Sequence, residues 1–165
     1  MIAYHFVGDA LRDGRPVPAD GVWLEHDGPI EMCQSGLHAS LTPWEALVYA
    51  PGSVLCRVEL GGEIVTGDDK VVASRRRILG RADVTDELRA FARAEALVVS
   101  HLWACPDVVR QYLETGDDVL RDAAWTAARG AASAARAAAS AAWGAALAAS
   151  GQRFNAAMLA ALEVA

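Results

Sequence analysis

The chain has 165 residues and a formal net charge of −6, with 53% apolar and 22% charged residues. This length suffices for one domain with a sizeable core, or for a small domain with a helical appendage. The acidic balance argues against a nucleic-acid surface, and the apolar fraction argues against disorder. The N-terminus lacks a signal-peptide pattern and no segment reads as a membrane span, so we predict a cytoplasmic protein that binds neither nucleic acid nor membrane.

Residues 1–82 are predicted to form a small α+β domain with a mostly antiparallel sheet and one short helix. Ile2–Val7 is the first strand candidate, and the alternating apolar residues of Ser53–Leu60 are typical of a strand with one buried face. The helix is predicted to begin after Thr42, because Thr42 and Glu45 can form a capping box around Pro43.

Two segments are predicted to turn the chain within this domain. Asp27–Pro29 lies between the strand candidates 22–26 and 30–33, which predicts a hairpin. Gly61 and Gly62 follow the best strand and predict a turn before shorter strands at 63–66 and 71–74. The run Arg75–Arg77 could contact phosphates, but in an acidic protein it is interpreted as a solvated edge or as partners for carboxylates.

Residues 83–165 are predicted to be helical, with helices at about 85–102, 106–115, 117–150 and 152–163. The apolar residues after Thr85 follow a helical period, and Pro106 and Gly116 mark the ends of the second helix. Gly151 is expected to break or bend the long third helix.

A seven-residue block repeats from Asp122 to Ala149, and most of its positions are alanine. Alanine is the best helix former, and a strict seven-residue period keeps each position type on one side of the helix. We therefore expect a thin helix that a protein partner or a second copy of the chain can approach closely. The candidate interaction residues are Trp125, Arg129, Gly130, Arg136, Trp143, Gly144 and Leu147.

The cysteines and histidines are candidates for disulfides, metal ligands and a cysteine nucleophile. The three cysteines are widely spaced, which predicts reduced thiols rather than disulfides. A metal site could use Cys33, His38, Cys56 and His26, but structural zinc usually uses four ligands in close pairs and only Cys33 and His38 are near each other in the sequence, so we predict no metal site. A second alternative is that Cys33 acts as a nucleophile with His38 as its base, although the sequence identifies no third group to orient the histidine.

The first domain resembles an uncharacterised domain that is frequent in bacteriophage and prophage genomes. The resemblance covers about residues 1–82 and implies domain boundaries, a phage origin and a bacterial host, with no established activity. The residues that carry it are Cys33, Gly36 and His38 of a Cys-x-x-Gly-x-His element, and then Tyr49, Val58, Glu59, Gly62, Glu63, Asp69 and Lys70.

A second set of residues is similar to ADP-ribosyltransferase folds. Tyr4-His5, followed by a Gly36–Ser40 strand and a short helix with Tyr49, imitates the order of motifs in that family. The resemblance implies that His5 holds the ribose of NAD, that His38 occupies the place of an aromatic residue that stacks on nicotinamide, and that Glu59 guides transfer. It also implies that Tyr4 and Tyr49 contact the cofactor.

Two hypotheses of function follow from the sequence. The first is a phage-type accessory protein that acts by protein–protein interaction or self-association through the alanine-rich helix and uses no cofactor. The alternative is an enzyme similar to ADP-ribosyltransferases that uses NAD in the N-terminal domain.

Overall fold

The fold was obtained as a computed structural model, which describes residues 1–164; of residues 130, 132–145, 148 and 164, only the secondary structure is described. The protein is α+β, as the sequence predicts. Its strands are β1 (Ile2–Val7), β2 (Leu24–Glu25), β3 (Leu37–Ala39), β4 (Val54–Thr66) and β5 (Val71–Asp83). Its helices are α1 (Pro43–Leu47), α2 (Thr85–Val98), a 3₁₀ turn (Ser100–Leu102), α3 (Asp107–Thr115) and α4 (Asp118–Val164).

A long antiparallel hairpin of β4 and β5 dominates the sheet, and each strand has 13 residues. The turn predicted at Gly61 and Gly62 is wrong, because β4 continues through both residues with a shift of register between Gly61 and Ile64. Gly62 has φ +71°, a conformation that glycine adopts without steric cost. The glycine pair therefore makes a bulge, which bends a strand without ending it.

The sheet closes on itself through the first and third strands. β1 pairs with the first half of β4, whereas β3 pairs with β5. The backbones of Tyr4 and Ser40 then exchange two hydrogen bonds of 2.8 Å, which joins β1 to the residue that follows β3. This closure gives the sheet an inner face and an outer face.

The hairpin predicted around Asp27–Pro29 is wrong. β2 pairs with Arg75 and Arg76 of β5, and Glu31 bridges to Ser35 rather than to the preceding strand. The free edge of the long β5 strand offers backbone hydrogen bonds that compete with the local turn.

The core of unit one is a cluster of mainly small apolar side chains, and those of β1 and of the first half of β4 define the inner face of the sheet. Because side chains alternate along a strand, residues that pair directly across two strands lie on the same face. Val17 of the loop between β1 and β2 packs against this cluster. The residues of the inner core are Ala3, Val7, Ala39, Cys56, Val58, Leu60, Val71, Ala73 and Ile78.

Helix α1 joins the sheet to the last turns of α4. The predicted capping box is confirmed: the backbone N–H of Glu45 donates to Thr42 Oγ1 at 3.2 Å, and that of Thr42 donates to the Glu45 carboxylate at 3.0 Å. The rings of Trp44 and Phe154 meet edge to face at 5.4 Å, and the Trp44 N–H donates to Asn155 Oδ1 at 2.6 Å.

The described chain divides into two compact units. Unit one comprises Met1–Thr85 together with Arg153–Ala165, and unit two comprises Asp86–Gln152. Helix α4 is continuous through Gly151, where the sequence predicts a break or a bend, so the predicted break is wrong. A glycine costs only about 1 kcal/mol relative to alanine inside a helix, and residues with high helix propensity flank it here. Among the described residues, we find no helical segment with both the length and the hydropathy of a membrane span.

Candidate functional site

His5 lies on the inner face of the sheet in unit one. It pairs with Cys56 across β1 and β4, and Ala3 and Val7 flank it on the same face. The side chain is largely buried, and burial together with the positive charge of Arg76 lowers its pKa from 6.5 to about 3. His5 is therefore neutral at pH 7 and can accept or donate a hydrogen bond.

Arg76 shares this inner face. It pairs with Leu60 across β4 and β5, is 7% exposed, and donates from Nη1 to the backbone oxygen of His38. Burial lowers the pKa of its guanidinium to about 10, which still leaves it charged at neutral pH. The site thus combines a buried cation with a neutral imidazole.

The two neighbours of Arg76 occupy the outer face. Arg75 pairs with Glu25 at 3.0 Å, and Arg77 Nε donates to Glu59 at 2.7 Å. Their guanidinium groups lie 4.7 and 4.8 Å from the ring centre of Trp23. The interpretation as partners for carboxylates is therefore confirmed for these two arginines and is wrong for Arg76, which strand alternation turns inward.

The loop between β1 and β2 brings further charges toward the inner face. Arg81 Nε donates to Asp20 at 2.7 Å, and its Nη2 donates to the Pro18 oxygen at 2.7 Å. Within the loop, Asp13 accepts two hydrogen bonds from the guanidinium of Arg15, at 2.9 and 2.6 Å. Both carboxylates therefore already have an arginine partner.

A second group of side chains, the Cys33 cluster, lies at the surface of unit one and consists of Cys33, His38, Tyr49, Asp69 and Lys70. Lys70 Nζ lies 3.4 Å from Cys33 Sγ and 4.1 Å from the centre of the Tyr49 ring, and the Tyr49 hydroxyl donates to Asp69. The N–H of Cys33 donates to His38 Nε2 at 3.0 Å. That bond occupies the imidazole nitrogen which a base for the Cys33 thiol would need.

His38 connects the two groups. Its backbone oxygen accepts from Arg76, while its ring contacts the backbone of Cys33 and the oxygen of Gly36. Burial lowers the pKa of His38, and the positive charges of Lys70 and Arg76 act in the same direction. The sequence indicated the arginine triplet but neither the burial of Arg76 nor the contact between Lys70 and Cys33. The alternation of side chains along a strand is the signal that points to Arg76.

The residues predicted from the ADP-ribosyltransferase resemblance do not converge on one site. His5 and His38 both lie near Arg76, as the charge effects on their pKa values show. Tyr4 lies on the opposite face of the sheet from His5, because the two are adjacent in β1. Glu59 also lies on that opposite face, because it is three residues from Cys56, which pairs directly with His5. Tyr49 belongs to the Cys33 cluster.

The predicted interaction residues lie on α4. Trp125 is 66% exposed, Leu147 is 46% exposed, and Arg129 is also exposed. The predictions for Gly130, Arg136, Trp143 and Gly144 lie outside the described part of the chain, because only the secondary structure of these residues is described. Among side chains that the structure describes, no three histidine, cysteine or acidic groups come together as metal ligands.

Unit one is thus an α+β module whose closed antiparallel sheet carries a cationic, imidazole-bearing inner face and a surface cysteine–lysine contact. A family model described as a domain of unknown function, DUF7666, matches residues 1–90, and the chain belongs to that family. No curated protein and no solved structure matches the chain.

Proposed function

We propose that the protein acts by protein–protein interaction, and that a second copy of the chain binds to helix α4. The observation that carries the proposal is the exposure of Trp125, whose side chain is 66% exposed on the surface of a 47-residue helix. Large apolar side chains left in water on a helix favour association.

Two other apolar residues of α4 in unit two are also exposed, Val119 at 86% and Leu147 at 46%. A tryptophan side chain buries about 150–250 Å² in a contact, far more than an alanine, so Trp125 is the largest of the exposed apolar side chains that the structure describes in this segment. The alanines between these positions permit close approach of a partner helix and contribute little area themselves.

The geometry does not favour ADP-ribosyl transfer. His5 and Glu59 point to opposite faces of the sheet, and Glu59 already pairs with Arg77. A cofactor held by His5 would therefore be separated by the sheet from the carboxylate that the resemblance assigns to transfer. The phage-type accessory role and the cytoplasmic location belong to our proposal on the strength of the sequence alone.

The oligomeric state of the full chain tests the proposal. Sedimentation or light scattering over a range of concentrations should give a mass above that of one chain. Trp125→Glu places a charge on the contact surface and should weaken self-association by at least about tenfold. Val48→Glu is the matched control, because Val48 is an apolar residue of unit one that is 73% exposed.

Two results would overturn the proposal. A mass of one chain at every concentration removes self-association outright. Equal weakening by Trp125→Glu and Val48→Glu shows a general effect of added charge rather than a contact through α4. A deletion of α4 is unsuitable for this test, since Phe154 and Met158 are buried and belong to unit one.

A further inference from the structure

The inner face of unit one holds a buried positive charge without a carboxylate partner among the described residues. Arg76 is 7% exposed, and its one hydrogen bond to described protein atoms goes to the neutral backbone oxygen of His38. A guanidinium group has five N–H donors arranged as a planar fork. Burying such a cation is costly unless an anion compensates its charge.

The nearby carboxylates do not supply that compensation. Asp13 is bound to Arg15, and Asp20 is bound to Arg81, so each of these charges is already neutralised. Arg12 and Arg15 of the same loop are close enough to influence the pKa values of His38 and Arg76, respectively. The carboxylate of Asp13 acts on the pKa of Arg76 in the opposite direction to Arg15, so this ion pair leaves the charge of Arg76 without a partner of its own.

His5 adds a second polar group without a hydrogen-bond partner in the described part of the chain. Every fully enclosed nitrogen or oxygen of the described side chains has a hydrogen-bond partner. The ring nitrogens of His5 and the remaining nitrogens of Arg76 are consequently not fully enclosed, although both side chains are largely buried. These nitrogens therefore keep some contact with solvent, and hydrogen bonds to them remain available to a ligand.

We propose that Arg76 and His5 form a binding site for one oxyanion group of a small molecule, a phosphate or a carboxylate. The fork of Arg76 matches the two oxygens of either group, and the His5 imidazole supplies one further hydrogen bond. This site is independent of the association surface on α4, so either proposal can fail without the other.

Titration of the full chain with inorganic phosphate at pH 7 tests the site, with acetate as the carboxylate probe and chloride at matched ionic strength as the reference. The expected result is a saturable rise in melting temperature and a shift of the His5 ring resonance in the NMR spectrum. The probe that saturates at the lower concentration identifies phosphate or carboxylate as the preferred group.

Three variants locate the binding. Arg76→Lys keeps the charge and removes the fork, while His5→Gln removes the imidazole; each should weaken anion binding by about tenfold or more. Arg75→Gln is the matched control, because it removes a positive charge from the adjacent residue on the outer face and should leave binding unchanged. His5→Gln and the His5 resonance keep the test valid if Arg76→Lys does not fold.

Two outcomes would overturn the proposal. Phosphate can stabilise proteins by exclusion from their surface, and that effect does not saturate and is the same in every variant. A non-saturating response shared by the wild type, His5→Gln and Arg75→Gln therefore rejects a specific site. Saturable binding could also be abolished by Arg75→Gln and preserved by His5→Gln. That result would place the anion on the outer face and reject the proposed site.

Discussion

At the residue scale, burial and strand alternation divide chemically similar side chains into different roles. Arg75, Arg76 and Arg77 are consecutive, yet the outer two contact Trp23 and carboxylates while the middle one lies inside. Side-chain direction reverses at each residue of a strand, so a run of like charges inside a strand always sends some of them inward. His5 on the same inner face is the residue whose titration reports this environment most directly.

The lowered pKa of His5 predicts a loss of stability in acid. The folded state holds His5 neutral down to about pH 3, whereas the unfolded chain takes up a proton near 6.5. The unfolded state therefore binds more protons between these values, and stability falls as the pH decreases through that range. The limiting slope is about 1.4 kcal/mol per pH unit.

Urea denaturation between pH 7 and pH 4 measures this slope. His5→Gln should flatten the dependence relative to the wild type. His101→Gln is the comparison variant, because it removes an exposed histidine of unit two by the same substitution. Identical slopes for the wild type and His5→Gln would contradict the assignment.

The three cysteines are predicted to differ in their rates of alkylation. Cys33 is exposed, Cys56 is fully buried, and burial raises the pKa of the Cys56 thiol to about 11. Iodoacetamide at pH 8 should modify Cys33 first and leave Cys56 unmodified in the folded protein. Mass spectrometry of the time course checks the order, and Cys33→Ser should remove the fast phase; early modification of Cys56 would contradict the buried position.

At the element scale, backbone geometry explains why the segment before β3 contains a glycine. Gly36 has φ +106°, and a Cβ added there would lie 2.5 Å from Cγ2 of Val72 on the paired strand β5. Glycine alone combines this conformation with such close approach. The turn thereby brings the backbone of Cys33 to the ring of His38.

Replacement of this glycine separates backbone strain from packing. Gly36→Ala should destabilise the protein by about 1–3 kcal/mol from strain, with an additional loss from the contact with Val72. Gly28→Ala is the matched control: Gly28 also has a positive φ, but an added Cβ would meet no atom within 4 Å in the described structure. Denaturation of both variants checks the difference, and a loss at Gly36 no larger than that at Gly28 would contradict the packing argument.

At the scale of the whole molecule, the family domain and the folding unit have different boundaries. The family match spans residues 1–90, whereas unit one also includes the segment that begins at Arg153. Phe154 and Met158 of that segment are fully buried, and Phe154 contacts Trp44 of helix α1. The segment that begins at Arg153 therefore contributes buried side chains to the unit that contains the sheet.

Removal of a buried side chain from this segment is predicted to destabilise unit one. Phe154→Ala should cost about 3–5 kcal/mol, because it removes a fully buried ring and leaves a cavity. Leu159→Ala is the matched control, since Leu159 lies on the same part of α4 and is 37% exposed. Chemical denaturation measures both; comparable losses for the two variants would contradict the docking of this segment.

The sequence alone determined the features that depend on near neighbours along the chain. Strand β1, the capping box of α1, the alternation that defines the first half of β4 and the α+β class all follow from local propensity and periodicity. Such signals act over a few residues, and the structure retains them because no distant contact competes with them.

Only the tertiary structure decided the features that depend on residues far apart in the sequence. The glycine pair of β4 forms a bulge because β5 pairs with β4 on both sides of it. β2 pairs with the other edge of β5 instead of forming the local hairpin. Arg76 meets the backbone of His38, and Phe154 meets Trp44, across separations that no sequence period encodes. Pairing and burial between distant segments are collective properties of the closed sheet, and they fix which charges lie inside it.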